Sequence, residues 1–320
     1  MIAAEILRAQ LGRTLDGTDF TQLGERYAGK VRDNYTRGGM RTLIATDRLS
    51  AFDLVLGTVP FKGQVLNQFA AYWFIESRAI APSHFIDAPD PNVTRAVECA
   101  ALPVEMVVRS YLTGVTSTSI WRNYQDGRRE FGGVTLPEGM RKNQPLPRAL
   151  ITPTTKAPKG GHDENVTRAQ VIERGLVDAA TWEKLEAMVL NMFKFGQERA
   201  RERGLILVDT KYELGRAPDG RIVFIDEIHT PDSSRYWYAD DYEARLAAGE
   251  EPRGLDKEYV RRYYVGLGYK GDGPPPPMPD DVRVEAARRY IEAYELVTGR
   301  TFAPNTEPPL ERIKRNLEIK

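Results

Sequence analysis

The sequence predicts a fold of the α+β class, in which β-hairpins and amphipathic helices share one chain. Two segments carry β-rich runs separated by turn residues, and three segments carry apolar residues at helical spacing. Of the 320 residues, 41% are hydrophobic and 28% are charged, which is typical of a globular protein with a sizeable core. This length corresponds to about two domains, or to one large fold with a cleft.

The charge balance disfavours several classes of partner. The chain has 45 Lys and Arg residues and 45 Asp and Glu residues, so its formal net charge is 0. Such neutrality disfavours nonspecific binding to nucleic acids or to membrane surfaces. We also find no run of about 18 uncharged apolar residues that would predict a transmembrane helix.

Two features indicate a cytoplasmic location. Residues 1–11 lack the basic start and the long apolar middle of a signal peptide. The single cysteine, Cys99, cannot form an internal disulfide, so a reducing compartment is the simpler expectation. We interpret Cys99 as a small core residue rather than as a reactive thiol.

The N-terminal part predicts a hairpin. Residues 27–35 and 40–46 are the two strands, and the Thr-Arg-Gly-Gly stretch over 36–39 is the turn between them. Within the first strand, Gly29-Lys30-Val31-Arg32-Asp33 places a glycine and two cations at a turn boundary, where backbone N–H groups can meet a phosphate. A surface turn with two solvated basic residues is the alternative.

The middle of the chain predicts a helix, a strand and two loops. Residues 65–80 have the helical spacing of a core-facing helix that ends before Pro82. Residues 102–108 predict a strand, after which a Ser/Thr-rich loop runs up to Trp121. Arg109 stands beside the hydroxyl groups of that loop, an arrangement that suits phosphate or carboxylate recognition but also fits a polar linker. A second loop, over 141–162, carries basic residues and no acid: Arg141, Lys142, Arg148, Lys156 and Lys159.

Two further helices are predicted in the C-terminal half. The first covers residues 181–203, with Thr181 as its N-cap and Gly204 as its stop. The second covers residues 282–297 and follows four prolines at 274–277, which favour a polyproline II spacer. We interpret the spacer as a strap within the chain, with a partner-binding segment as the alternative.

A charged hairpin is the most informative feature. Its strands are predicted over 205–214 and 221–228, joined by a turn that contains Pro, Asp and Gly. Because side chains alternate along a strand, Asp209, Lys211 and Glu213 lie on one face of the sheet. Three charges on one face favour a ligand site.

The register of this hairpin decides which acid joins the face. If Arg216 pairs with Arg221, Lys211 lies opposite Asp226, whereas a slip of one residue offers Glu227 instead. Carboxylates around a lysine can hold Mg²⁺ while the lysine meets an anionic substrate. A solvated face with cross-strand ion pairs is the alternative.

The residues after the second strand favour the ligand site. Residues 229–235 supply several hydroxyl groups, an acid and an arginine in one short stretch. The three histidines, His84, His162 and His229, are too scattered for a zinc signature, and no Ser-His-Asp order stands out. Hydrolase and zinc-enzyme functions are therefore disfavoured.

Seven segments, taken in order, resemble the SAICAR synthetase family. They run from about residue 20 to 240 and comprise G-K-V-R-D-N-Y from Gly29, A-T-D-R-L-S-A-F-D from Ala45, V-V-R-S-Y-L-T-G from Val107, T-P-T-T-K from Thr152, H-D-E-N from His162, V-D-T-K-Y-E-L-G from Val208 and D-E-I-H-T-P-D-S-S-R from Asp226.

The resemblance implies a ligase of de novo purine biosynthesis. Its expected substrates are ATP, L-aspartate and carboxyaminoimidazole ribonucleotide (CAIR), its products SAICAR, ADP and phosphate, and its metal Mg²⁺, with an acyl phosphate as the intermediate. The implied fold is α+β and related to ATP-grasp enzymes, with ATP in a cleft between two parts. Residues 1–101 would cover the ATP phosphates, and residues 102–320 would hold the metal, the substrates and the C-terminal helices. Only small molecules, and no nucleic acid or membrane, are expected as partners.

The resemblance also implies roles for individual residues. Lys30, Val31 and Arg32 correspond to the loop over the ATP phosphates, and Leu102, Val104 and Glu105 to the strand beside adenine. Glu213 and Asp226 correspond to Mg²⁺ ligands, and Lys211 and Asp209 to residues beside the reacting carboxylate. The remaining substrate contacts implied by the motifs are Arg109, Ser119, Ser234, Arg235, Asp47, Arg48 and Ser50.

One departure from the family pattern affects the serine assignment. Many relatives have T-G-S soon after the arginine, whereas here residues 115–118 intervene after Thr113-Gly114. We treat residues 115–118 as an insertion, so that Ser119 takes the place of the family serine and Ser117 is its rival. Another ATP-grasp-like ligase or kinase is the alternative function, and a nucleotide-binding regulator without catalysis is disfavoured by the intact Lys211, Glu213 and Asp226.

Overall fold

The computed structural model describes residues 2–52, 54–156, 164–255, 258–269 and 271–319. Its strands, in chain order, are β1 (Glu25–Ala28), β2 (Arg32–Arg37), β3 (Met40–Ala45), β4 (Arg48–Ala51), β5 (Leu54–Thr58), β6 (Phe85–Asp90), β7 (Val93–Val97), β8 (Ala100–Tyr111), β9 (Glu130–Phe131), β10 (Val134–Thr135), β11 (Pro145–Ile151), β12 (Thr154–Thr155), β13 (Leu205–Arg216), β14 (Ile222–Ile225) and β15 (Ser234–Tyr238). Its helices are α1 (Ala4–Gln10), α2 (Lys62–Glu76), α3 (Ile120–Gln125), α4 (Arg168–Glu173), α5 (Ala179–Glu202), α6 (Tyr242–Ala248), α7 (Glu258–Gly266), α8 (Asp280–Thr298) and α9 (Pro309–Asn316).

The N-terminal part forms an antiparallel sheet with the strand order β1-β2-β3-β7-β6. The predicted hairpin is confirmed at β2 and β3, but the prediction of one strand over 27–35 is wrong. That stretch contains two strands, because the Gly29 N–H donates to the Arg32 carbonyl oxygen at 2.8 Å and closes a tight turn. Residues 29–31 therefore form a loop at the end of the sheet.

The central sheet has six antiparallel strands in the order β11-β8-β13-β14, with β12 also on β8 and β15 also on β13. The segment before β6 joins it to the N-terminal sheet. The Phe224 N–H donates to Pro82 O at 3.0 Å, and the His84 N–H donates to Phe224 O at 2.9 Å. His84 O in turn accepts from the Val97 N–H at 2.8 Å, so the two sheets share a backbone connection.

Helix α5 covers one face of the central sheet. Its buried residues Leu185, Val189 and Met192 recur at helical spacing and belong to the same core as Val104 and Met106 of β8. The prediction of Thr181 as the N-cap is wrong. Asp178 caps the helix by accepting the Thr181 N–H at 2.8 Å, and Gly204 follows the helix end with φ 69°, as predicted.

The hairpin of β13 and β14 has the slipped register. Arg216 pairs with Ile222 and Glu213 pairs with Ile225, so the pairing of Arg216 with Arg221 is wrong. The Ala217 N–H closes the turn on Arg221 O at 2.9 Å. Because β14 ends at Ile225, neither acid continues the ladder opposite Lys211, and the chain turns sharply at Asp226, where φ is 66°.

The C-terminal helices pack on the N-terminal half. Helix α8 contacts α2 and α1, and α9 contacts β6. Arg312 of α9 forms a fully buried ion pair with Asp90, with Nε 2.9 Å from the carboxylate oxygen Oδ2. The helices predicted over 65–80 and 282–297 are thus confirmed as α2 and α8. The division into 1–101 and 102–320 stays a prediction.

No helix among the described residues is long and apolar enough to cross a membrane. The cytoplasmic location expected from the sequence stays a prediction.

Candidate functional site

The face of the central sheet opposite α5 carries charges on two neighbouring strands. The register of β8 and β13 pairs Arg109 with Asp209 and Glu105 with Glu213, and it places Lys211 between these pairs. Because side chains alternate along each strand, these five residues share one face. We refer to Glu105, Arg109, Asp209, Lys211 and Glu213 as the charged face.

Lys211 is the centre of the charged face. Its Nζ lies 2.6 Å from Glu105 Oε1 and 3.4 Å from Glu213 Oε1. Burial alone lowers the pKa of an amine, but the charges of Glu213 and Glu105 outweigh it and raise the pKa of Lys211 above its ordinary value. Lys211 is therefore a firmly charged ammonium group. Thr154 orients Glu105 by donating to its second oxygen at 3.1 Å.

A second lysine reaches the charged face from outside β13. Lys156, just after β12, donates to Glu213 Oε2, so that this carboxylate lies between two ammonium groups. The sequence analysis placed Lys156 in a basic loop and in the T-P-T-T-K motif, but it gave Lys156 no role in the site. Its position is set by the short pairing of Thr154 with Glu105 and of Thr155 with Val104, which brings the end of the T-P-T-T-K motif beside β8.

Asp226 and Glu227 together bind Arg32 of the N-terminal sheet. Arg32 Nη1 donates to Asp226 Oδ1, and Arg32 Nη2 donates to Glu227 Oε2. Consecutive residues of a regular strand would point to opposite faces, and the left-handed conformation of Asp226 is what breaks that alternation. Both acids named in the sequence analysis are therefore in the site.

The two acids have opposite pKa shifts. Burial tends to raise the pKa of Asp226, but the charges of Arg32 and Lys211 lower it below its ordinary value. Burial raises the pKa of Glu227, and the neighbouring charge of Asp226 adds to this effect. Asp226 is the more strongly ionised member of the pair.

At the other end of the charged face, two guanidinium groups flank one carboxylate. Arg235 Nη1 lies 2.8 Å from Asp209 Oδ2, and Arg109 Nη1 lies 3.9 Å from the same oxygen. Arg109 is further held by Thr152 Oγ1, 2.7 Å from its Nε. Burial and the like charge of Arg235 lower the pKa of Arg109, whereas Asp209 opposes them. Such a pair suits an anion with several oxygen atoms.

A cavity of about 530 Å³ opens beside Arg109. Ser119, at the start of α3, is buried and lines this cavity together with Thr118 and Thr152, while Ser117 is exposed and does not line it. Ser119 Oγ donates to Thr116 O at 2.7 Å. The structure thus brings Ser119, and not its rival, to the cavity that Arg109 shares.

Several residues predicted for the site lie elsewhere. Asp47 is buried and accepts the Leu15 N–H at 2.7 Å and the Gly63 N–H at 2.8 Å, and burial raises its pKa to about 6. Arg48 binds two backbone carbonyl groups of the loop over 29–31. Ser50 lies on the hairpin of β4 and β5. Ser234 pairs with Thr210 on the face opposite Asp209 and is hydrogen-bonded to its hydroxyl at 2.7 Å.

The residues predicted beside nucleotide are placed as follows. Lys30 is exposed at the loop over 29–31, next to Val31, and Arg32 extends from that loop to Asp226. Leu102 is half-buried, and Val104 points into the core. Glu105 points the other way, toward Lys211.

Two histidines are structural. His229 is fully buried, contacts the edge of Trp73 and is hydrogen-bonded to the Tyr212 hydroxyl, and burial lowers its pKa to about 3. Burial likewise lowers the pKa of His84 to about 4. His162 and Lys159 lie outside the described residues, so only Glu164 and Asn165 of the H-D-E-N motif are described. Among the described residues, no group of three or more His, Cys, Asp or Glu side chains is arranged to hold a metal ion.

The arrangement suits chemistry on small anions. Cations at Arg32, Lys156, Lys211, Arg109 and Arg235 alternate with carboxylates along one surface. Phosphates and carboxylates can exchange places with the internal carboxylates at these cations, and the released carboxylates can hold a divalent ion. His84 and His229, the two described histidines, are buried in the core. Neither can therefore serve as a general acid or base at this surface.

Comparison with known proteins identifies the family. A family model described as SAICAR synthetase matches residues 25–276. The phosphoribosylaminoimidazole-succinocarboxamide synthase of Legionella pneumophila is 47% identical over 299 residues, which cover 92% of this chain and 95% of that relative. The synthase of the same name from Bacteroides thetaiotaomicron is 46% identical over 312 residues, covering 95% and 98% of the two chains.

Solved structures agree in fold. The SAICAR synthase of Saccharomyces cerevisiae, in complex with SAICAR, superposes with a TM-score of 0.77 at 28% identity and covers 91% of this chain and all of its own, 100%. A SAICAR synthetase in complex with ADP has the same fold, with a TM-score of 0.65 at 22% identity over 88% of this chain and 100% of its own. The motifs, the α+β fold and these matches agree, and the chain belongs to the SAICAR synthetase family, the ligases of purine biosynthesis that use ATP to join L-aspartate to CAIR.

Proposed function

We propose that the charged face is where this chain joins L-aspartate to CAIR. The observation that carries the proposal is the position of Lys211, which lies between Glu105 and Glu213 on paired strands, with arginines at both ends of the same surface. Such a surface can bind a phosphate donor at one end and an anionic ribonucleotide at the other. The two reactants would then meet at Lys211.

The ATP phosphates bind at the Arg32 end. The loop over 29–31 presents backbone groups there, and Arg32 already bridges from the N-terminal sheet to Asp226 and Glu227. In this arrangement residues 1–101 cover the phosphates. The strand that contains Leu102 and Val104 lies on the side of adenine, as the family resemblance implies.

Mg²⁺ is the metal that fits the carboxylates of this surface. Glu213 and Asp226 offer hard oxygen donors, and each is balanced here by a cation, Lys156 for Glu213 and Arg32 for Asp226. When bound, Mg²⁺ would offset the negative charge of the transferred phosphoryl group. The rest of its ligands would be phosphate oxygens and water, because two carboxylates are the usual protein share of such a site.

The ribonucleotide binds at the Arg109 end. Arg109 and Arg235 flank Asp209 and can turn their guanidinium groups to the ribonucleotide phosphate, while Ser119 lines the neighbouring cavity. This position directs the CAIR carboxylate along the face toward Lys211. Ser234, Asp47 and Ser50 lie off the charged face and have no contact role in this proposal.

The chemistry proceeds in two transfers. A CAIR carboxylate oxygen attacks the γ-phosphorus, which forms an acyl phosphate and releases ADP. The aspartate amine then attacks the acyl carbon, and the carbon–oxygen bond to phosphate breaks. The new amide nitrogen loses a proton, which completes SAICAR. Lys211 stabilises the negative charge on the transferring oxygens, and Asp209, the neighbouring carboxylate of the same face, receives the amine proton. Both roles depend on the raised charge density of this face rather than on histidine.

A coupled assay tests the proposal. Purified protein is incubated with Mg·ATP and with CAIR, with aspartate, with both or with neither, and ADP release and product mass are measured. We expect continued ADP release, over many turnovers, only with both substrates, and a succinyl adduct of CAIR as product. A phosphorylated product without the adduct would indicate a kinase, and ATP hydrolysis without either substrate would indicate a different ATPase.

A further inference from the structure

Arg48 is an inward-pointing arginine that the charged face does not explain. It stands at the start of β4, and only 11% of its side chain is exposed. Its Nη2 lies 3.0 Å from Gly29 O, its Nε lies 3.1 Å from Lys30 O, and its Nη1 donates to Asp16 O. One guanidinium group therefore holds three backbone carbonyl groups, two of which belong to the loop over 29–31.

The next carbonyl group of the loop, that of Val31, is held by Thr46, two residues before Arg48. Val31 O accepts the Thr46 N–H at 3.0 Å and the Thr46 hydroxyl at 2.8 Å. The three consecutive carbonyl groups of Gly29, Lys30 and Val31 thus all point toward residues 46–48. A loop of this length has few ways to satisfy that pattern.

The direction of the carbonyl groups sets the direction of the amide groups. In a trans peptide the C=O and the following N–H point in opposite directions, and no peptide of the described residues is cis. With the carbonyls turned toward Arg48 and Thr46, the N–H groups of residues 30–32 are turned away from them. A row of N–H groups on one side of a loop is the geometry that binds phosphate.

We propose that Arg48 is a positioning residue that holds the loop over 29–31 in the conformation that receives the ATP phosphates. This inference rests on the proposed function, because it gives the loop a nucleotide to bind. It assigns Arg48 to ATP through the loop, in place of the direct substrate contact that its motif implies. The guanidinium itself touches backbone and protein carboxylate.

The chemistry of the site explains why an arginine is needed. Five N–H donors in a planar fork can serve several acceptors at once, whereas a lysine ammonium concentrates its donors at one point. The positive charge of Arg48 is balanced by Asp33, whose Oδ1 lies 2.9 Å from Arg48 Nη2. Asp33 is itself fixed by the Thr18 N–H at 2.6 Å, so the guanidinium has a rigid counterion.

The test compares nucleotide binding with ribonucleotide use in Arg48→Lys. We expect Mg·ADP binding, measured by calorimetry, to weaken at least about tenfold and KM for ATP to rise similarly, because charge-assisted hydrogen bonds are lost from the loop. KM for CAIR and for aspartate should stay within about twofold, a change too small to reflect a lost charged contact. Thr46→Val removes the hydroxyl bond to Val31 O and the longer bond, 3.4 Å, that this hydroxyl accepts from the Arg48 N–H, and it should give a smaller change in the same direction.

Arg41→Lys is the matched control. Arg41 lies on the neighbouring β3 and binds the carboxylate of Glu98 with two nitrogens, yet none of its hydrogen bonds reaches the loop. Its replacement removes a similar arginine–carboxylate pair and should leave Mg·ADP binding unchanged. Thermal unfolding of all variants separates lost binding from lost fold, and Thr46→Val carries the test if Arg48→Lys does not fold.

Three outcomes would overturn the inference. If Arg48→Lys and Thr46→Val bind Mg·ADP as the wild type does, or if KM for CAIR alone rises, Arg48 does not position the phosphate loop. If the wild type binds no Mg·ADP at all, the proposed function fails and the inference fails with it. The wild-type titration therefore tells the two failures apart.

Discussion

The Lys211 ammonium lies 2.6 Å from a carboxylate oxygen of Glu105, across two paired strands of the central sheet. This pair, with Glu213 3.4 Å from the same ammonium, defines the middle of the charged face. The contact keeps the lysine charged and extended over the strand in the absence of substrate. A substrate phosphate or carboxylate would compete with Glu105 for it.

Replacement of this lysine should abolish most activity. For Lys211→Ala we expect kcat to fall by at least about a hundredfold, because a positioned charge that stabilises the transferring phosphoryl group is lost. Lys184→Ala, which removes an exposed lysine of α5, is the control and should keep wild-type turnover. Near-normal turnover in Lys211→Ala, with the fold intact by circular dichroism, would remove Lys211 from the proposed role.

Asp226→Asn should change the dependence on Mg²⁺. We expect kcat to fall by at least about a hundredfold, and the Mg²⁺ concentration for half-maximal activity to rise, because an amide oxygen is a weaker ligand for a hard cation than a carboxylate. Magnesium titrations of activity and of ADP affinity measure this. Asp219→Asn, in the exposed turn between β13 and β14, should behave as the wild type. An unchanged magnesium midpoint would exclude Asp226 as a ligand.

The two serines near the cavity can be separated by substitution. Ser119→Ala should raise KM for CAIR by about tenfold, the usual effect of losing one hydrogen bond to a charged group. Ser117→Ala should leave KM unchanged, because Ser117 is exposed and does not line the cavity. Steady-state kinetics with CAIR varied at saturating ATP would show the difference. The reverse pattern would mean that the serine contact of the family has moved within the insertion.

The two buried histidines should each destabilise the folded protein in mild acid. The pKa values of His84 and His229 are about 4 and about 3 in the folded protein, against 6.5 when unfolded. Between these limits the unfolded chain binds the extra protons, so the free energy of unfolding decreases as the pH falls, by about 1.4 kcal/mol per pH unit for each histidine. Asp47, with a folded pKa of about 6 against 3.8, contributes the opposite slope.

Urea unfolding between pH 7 and pH 5 measures the net effect. Glu227, whose pKa is also raised by burial, opposes the histidines as Asp47 does, so the prediction concerns the difference in slope between the wild type and a histidine variant. His84→Gln removes one titrating group and should reduce the slope by about 1.4 kcal/mol per pH unit, although its stability at pH 7 can also change. Equal slopes in the wild type and the variant would show that His84 is accessible to protons in the folded state.

Local patterns predicted most of the elements, but the prediction of a loop over 141–162 is wrong, because strands β11 and β12 lie within it. Helices α2, α5 and α8 and the hairpins of β2–β3 and β13–β14 follow from periodicity and turn residues that lie close together in sequence. The misassigned N-cap of α5 is an error of three positions, and the slipped register of β14 is the second of the two registers that the sequence left open. The register depends on how the turn closes on Arg221, and turn composition alone does not determine that.

Long-range contacts could not be predicted from local patterns. Arg32 meets Asp226 and Glu227 from another sheet, and Lys156 meets Glu213 through the pairing of β12. The family motifs brought Arg32, Lys211, Glu213 and Asp226 together as a set, but a motif does not show which side chains are turned inward. Arg48 illustrates this limit, since its motif suggested a substrate while its guanidinium holds backbone carbonyls.

The buried pair of Arg312 and Asp90 has a consequence for how the chain is made. The two residues are 222 positions apart, and Arg312 also binds Asn92, whose amide supports the end of β3 through Ala45 O. During synthesis, Asp90 is therefore made well before Arg312, the cation that pairs with it among the described residues. The N-terminal sheet is completed by a helix that lies more than 200 residues later, so the last folding step of this sheet is expected only after α9 has been synthesised.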